Sequence, residues 1–96
     1  MTRTELEHKK GKVLIKFGAV WCGPCRQIKG ILEQINKENT DIEYIDIDVD
    51  ENQPIAVEFQ VKSIPVMFAM VDGVIVDEIK GASTKQRILD MFKQKE

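Results

Sequence analysis

At 96 residues, 43% of them hydrophobic, the chain has room for one domain over residues 1–96 and one modest core. A net charge of -2, with 31% charged residues, excludes the strongly basic face that non-specific nucleic-acid binding requires. The polar stretch Met1 to His8 has no apolar secretory segment, and no apolar run approaches a membrane span. A cytoplasmic protein with no nucleic-acid and no membrane partner is expected.

In chain order, residues 2–9 read as a short helix. Thr2 or Thr4 caps it, with Glu5 or Glu7 three residues on, and Gly11 ends it. The basic cluster at His8, Lys9, Lys10 and Lys12 is diluted by Glu5 and Glu7 and reads as a solvated helix end. Val13 to Phe17 is a buried strand. From Cys25 onward the period changes. Ile28, Ile31, Leu32 and Ile35 form the apolar stripe of a helix that stops near Asn36 to Asn39. Ile42 to Val49 is a second strand, with Ile45, Ile47 and Val49 alternating with Asp46, Asp48 and Asp50. Pro54 sits in the first turn of a short helix, where a missing N–H costs little. Val66 to Val71 is apolar on both faces and therefore central. Asp72-Gly73 predicts a type I′ hairpin turn into Val74 to Lys80. Ser83 to Gln86 reads as a capping box opening a last helix, whose core side is Ile88, Leu89 and Phe92.

The order α-β-α-β-α-β-β-α demands a parallel first strand pair with a right-handed crossover, and an antiparallel hairpin at the end. The fold class is α/β: a mixed four-stranded sheet with helices on both faces.

The two cysteines stand three positions apart where a buried strand meets an amphipathic helix. Amides at a helix N-terminus are unsatisfied and carry partial positive charge, so a sulfur placed there is stabilised as thiolate, the reactive form. Two cysteines on the first turn can close a disulfide, the first facing solvent and attacking, the second lying deeper and resolving. Pro24 fixes φ between them. Half of a zinc site competes with this reading, but zinc wants four ligands and His8 is the only other good nitrogen or sulfur donor. An inert buried pair competes too, against the Gly23-Pro24 insert.

The run Phe17-Gly18-Ala19-Val20-Trp21-Cys22-Gly23-Pro24-Cys25-Arg26 resembles the thioredoxin active-site signature. Ile64-Pro65 resembles that family's cis-proline loop, Asp72-Gly73 its hairpin turn, and Gly81-Ala82 the glycine bordering its substrate groove. The resemblance covers about residues 5–95. It implies a thioredoxin fold without the usual N-terminal edge strand, and a thiol–disulfide oxidoreductase that reduces protein disulfides as a monomer. It implies no bound cofactor and no metal. Electrons would come from NADPH through a flavin-containing thioredoxin reductase. By position, Cys22 would be the nucleophile and Cys25 the resolving thiol, supported by Trp21, Gly23, Pro24 and a cis Pro65. Trp21, Ser63, Ile64, Pro65, Gly81 and Ala82 would form the substrate-binding surface, Ile64 through backbone hydrogen bonds.

Three departures stand out. The segment before the cysteines is short. Gly30 replaces a helix-kinking proline. Lys16 occupies the place of the family's buried aspartate, and Asp46 that of its partner lysine. The first two strands should bring Lys16 and Asp46 together as a charge-swapped pair. Lys16 would then favour a thiolate electrostatically, and Asp46 would be the nearest candidate base. The competing reading has Lys16 snorkelling to solvent. Two rival functions remain: a thioredoxin-fold binding subunit with dispensable cysteines, and a glutathione-coupled carrier of glutaredoxin type, against which Trp21 and the Gly-Pro insert argue.

Overall fold

The computed structural model describes residues 1–93. Its elements are α1 (Arg3–Glu7), β1 (Lys12–Gly18), α2 (Gly23–Glu38), β2 (Ile42–Asp48), α3 (Gln53–Glu58), β3 (Val66–Val71), β4 (Val74–Lys80) and α4 (Lys85–Asp90). The strands form one sheet in the order β2-β1-β3-β4. β1 runs parallel to β2 and antiparallel to β3, and β3 runs antiparallel to β4.

Strand burial follows sheet position. β1 and β3, apolar on both faces, are the inner strands. β2 and β4 take the edges, where Glu43, Asp46, Glu78 and Lys80 keep the unpaired rims in water. On one face Val13, Ile15 and Phe17 pack with Val66 and Phe68 beneath Leu6 of α1 and Ile55 and Ala56 of α3. Three rings hold this layer together. Phe17, Phe59 and Phe68 lie at centroid separations of 5.3, 5.8 and 5.1 Å, in tilted and edge-on pairs. On the other face Leu14, Met67 and Ala69 meet Ile28, Leu32 and Ile35 of α2, with Ile88 and Met91.

Helix α1 has only five residues, and its ends are tied. Thr2 Oγ1 accepts the Glu5 amide at 3.2 Å, and Glu5 Oε1 accepts the Thr2 amide at 3.1 Å, a full capping box. The hairpin turn has φ of 51° at Asp72 and 83° at Gly73, the paired positive values of a type I′ turn. Gly73 is needed for space as well, because a Cβ there would strike the Glu7 backbone.

The last helix departs from expectation by one residue. Thr84, not Ser83, is the N-cap, its hydroxyl accepting the Arg87 amide at 3.1 Å. Gln86 reaches forward to Asp90 at 2.7 Å instead of back to the cap. The core side shifts with it. Met91 is fully buried and Leu89 only half-buried.

Helix α2 runs unbroken over Gly23–Glu38, with Gly30 exposed inside it and no atom within 4 Å of where a Cβ would stand. Gly30→Ala should therefore stabilise the protein by about 1 kcal/mol through helix propensity alone. Thermal unfolding should show a midpoint about 4–8 °C higher. A lower midpoint would mean that α2 needs the flexibility of Gly30.

On β2, burial pushes the Tyr44 phenol well above its ordinary value, and the carboxylates of Asp46 and Glu33 add to the shift. The folded state thus holds this proton more tightly than the unfolded chain. Its contribution to stability is complete below the ordinary phenol pKa of about 10 and is lost as pH rises beyond it. The urea midpoint should fall between pH 9 and pH 11, and Tyr44→Phe should flatten that fall.

Candidate active site

The site forms where β1 hands over to α2. Cys22 is the N-cap of α2, in extended conformation with φ −86° and ψ 114°, and Pro24 stands in the first turn. Cys22 and Cys25 are joined in a disulfide with a Cα–Cα distance of 5.3 Å. Cys22 Sγ accepts the Cys25 amide at 3.2 Å, so a sulfur serves where a serine or aspartate oxygen commonly caps a helix. That hydrogen bond and the positive end of α2 both favour negative charge on this sulfur after reduction.

Both cysteines are buried, Cys22 with 5% of its surface exposed and Cys25 with 2%. The expectation that Cys22 openly faces solvent therefore needs correction in the disulfide form. The order of depth is as expected, but the difference is small, because Ala19, Val49 and Ile64 pack around the pair.

Trp21 is 63% exposed, and its indole Nε1 donates to Asp50 Oδ2 at 2.7 Å. Asp50 was missed as a site residue. Its only signal in the sequence was its place in the Asp46-Asp48-Asp50 alternation, which reads equally well as a solvated edge.

Facing the cysteines is the loop before β3. The Ile64–Pro65 peptide bond is cis. Pro65 is buried, Ile64 half-buried and Ser63 exposed. Gly81, at φ 91°, donates its amide to the Pro65 carbonyl at 2.8 Å, which brings Gly81 and Ala82 beside the proline loop. Residues from three separate stretches, Trp21-Cys22, Ile64-Pro65 and Gly81-Ala82, thus gather at the edge that carries the shallower sulfur.

Behind the disulfide, strand parity decides which side chains lie under α2. On β1 the row Leu14, Lys16, Gly18 faces α2, and on β2 the row Ile42, Tyr44, Asp46, Asp48 does so. Lys16 and Asp46 are direct cross-strand partners. Lys16 Nζ lies 3.2 Å from Asp46 Oδ1. The pair is unequally buried, the Lys16 side chain 10% exposed and that of Asp46 51%. Lys16 therefore does not snorkel freely. Its side chain lines a cavity of about 370 Å³ that Cys25 also lines.

Among the described residues no group of three or more histidine, cysteine or acidic side chains is placed to hold a metal ion. Among the same residues no helix is long and apolar enough to cross a membrane.

A disulfide closed across the capped first turn of a helix, on a mixed sheet of this topology, defines a thiol–disulfide oxidoreductase. The thioredoxin family model matches residues 2–94. A thioredoxin of Mycolicibacterium smegmatis is 45% identical over 80 residues, which span 80% of this chain and 71% of that protein. One from Bacillus subtilis is 38% identical over 86 residues, 88% of this chain and 83% of that protein. Among solved structures, mitochondrial thioredoxin 3 of Saccharomyces cerevisiae in its oxidised form superposes with a TM-score of 0.84 at 30% identity, covering 93% of this chain and 83% of that one. The chain belongs to the thioredoxin family.

Proposed function

We propose that this chain is a cytosolic electron carrier that reduces disulfides in protein substrates and is itself re-reduced by a flavin-containing thioredoxin reductase at the expense of NADPH. The observation that carries the reading is the Cys22 sulfur capping α2 while bonded to Cys25. After reduction Cys22, the shallower and helix-stabilised sulfur, attacks a substrate disulfide. The mixed disulfide is then resolved by Cys25 from below. The substrate strand lies against the exposed Trp21 ring and takes backbone hydrogen bonds from Ile64, a one-residue form of strand addition. Pro65 brings no amide to the sulfurs, and Gly81 and Ala82 keep the groove shallow. The carrier acts as a monomer and holds no cofactor of its own.

The test is turnover of an insulin-type disulfide substrate with thioredoxin reductase and NADPH, compared with reduced glutathione as the only donor. Turnover with the reductase and little with glutathione is expected. The reverse would assign the chain to glutathione-coupled chemistry.

A further inference from the structure

A lysine ammonium is buried beside the inner sulfur. Gly18 shows how close the two lie. A Cβ at Gly18 would stand 2.7 Å from Lys16 Cε, 2.9 Å from Lys16 Nζ and 3.0 Å from Cys25 Sγ, and these are the three nearest atoms to that point. Ammonium and sulfur are therefore within about 6 Å of each other, inside the range where an opposite charge favours ionisation. The charged groups facing Cys25 across the cavity are Lys16 from β1, Arg26 and Lys29 from α2, and Asp46 and Asp48 from β2. Arg26, Lys29 and Asp46 are exposed and screened by water and Asp48 is half-buried, whereas Lys16 is buried and the least screened of the five. The strongest field at the sulfur is thus that of Lys16, and it is positive.

Resting on the carrier reading above, we propose that the Lys16 ammonium favours the Cys25 thiolate once Cys22 is committed to the mixed disulfide, so that resolution needs no general base. Asp46, half in water at 3.2 Å from Nζ, fixes the ammonium in place and offsets part of its charge. The Cys25 proton leaves to solvent through the cavity, ahead of the bond-making step. The Cys25 thiolate then attacks Cys22 Sγ. The Cys22–Cys25 bond forms, the bond from Cys22 to the substrate sulfur breaks, and the substrate leaves as a thiolate that takes a proton from water. Two electrons pass from the dithiol to the substrate disulfide, and the two protons given up by the cysteines match the two taken by the product thiols. A side chain at Gly18 would crowd both groups and push the Lys16 head away from its place beside Cys25.

The two members of the pair should move the Cys25 titration in opposite directions, which a merely structural role would not do. The experiment is carbon-13 NMR titration of both cysteines in the fully reduced protein, for wild type and the variants Lys16→Met, Lys16→Arg and Asp46→Asn. Lys16→Met should raise the Cys25 pKa by about one unit or more, with a smaller change at Cys22, which does not line the cavity. Lys16→Arg should keep it near wild type, and Asp46→Asn should lower it. Stopped-flow release of substrate thiol at pH 7 should slow about threefold for each unit by which Lys16→Met carries the Cys25 pKa above 7, because the tenfold loss of thiolate is partly offset by its greater nucleophilicity. The titration uses no substrate, so failure of the carrier reading in the insulin assay would be a separate result. A Cys25 titration unmoved in Lys16→Met, or raised in both Lys16→Met and Asp46→Asn, would overturn the assignment.

Discussion

Cys22→Ser should reduce disulfide turnover to the uncatalysed background, while Cys25→Ser should still attack and then stall as a one-to-one mixed disulfide with the substrate. The asymmetry comes from the geometry. Cys22 caps α2 and sits at the edge shared with Trp21, Ile64 and Gly81, whereas Cys25 lies inside the turn above the Lys16 cavity. A serine hydroxyl at position 22 can cap the helix equally well, so the fold survives and only the nucleophile is lost. At position 25 a serine cannot resolve the intermediate, because it has no sulfur to form the second bond. Non-reducing electrophoresis and intact mass would reveal the trapped species. Alkylation of the reduced wild-type protein near neutral pH should modify Cys22 first. Sustained turnover by Cys25→Ser, or first modification at Cys25, would reverse the two roles.

The largest effect on stability is expected at Phe17. Its side chain is fully buried and touches both other rings of the Phe59–Phe68 cluster. Phe17→Ala removes apolar area and leaves a cavity between rigid rings on two elements. The expected loss is about 3–5 kcal/mol. Domains of this kind are stable by only about 5–15 kcal/mol, so a large part of the total would go. Urea denaturation monitored by circular dichroism gives the number. Trp21→Ala is the natural contrast. That ring is mostly in water, so its loss should barely move the urea midpoint while weakening substrate docking. A loss below about 1 kcal/mol for Phe17→Ala would show that the rings of Phe59 and Phe68 close over the gap.

Much of this was readable along the chain because the relevant signals are local. The strand-to-helix change at Cys22, the Asp72-Gly73 turn and the apolar stripe of α2 each depend on residues within a few positions of one another. Local periodicity and turn sterics decide such features before any tertiary contact forms. The α4 cap was misplaced by one residue for the same reason. Ser83 and Thr84 are equally good local candidates, and in the folded chain it is Thr84 that takes the cap.

The chemistry at the site divides along the same line. The identity of the redox pair, its place at a helix N-terminus and the order of the elements were set by sequence, since spacing alone puts Cys22 and Cys25 on one turn. Three things were decided only by tertiary structure. The indole of Trp21 is anchored by Asp50 across a gap of 29 residues. Gly81 is hydrogen-bonded to Pro65, which closes the groove. The parallel register of β1 and β2 puts Asp46 opposite Lys16, and the pleat turns both toward α2. A shift of that register by one residue would have aimed Asp46 at the other face. Whether a charge in the sequence becomes a solvated edge or the field behind a reactive sulfur depends on that pairing, which no local pattern contains.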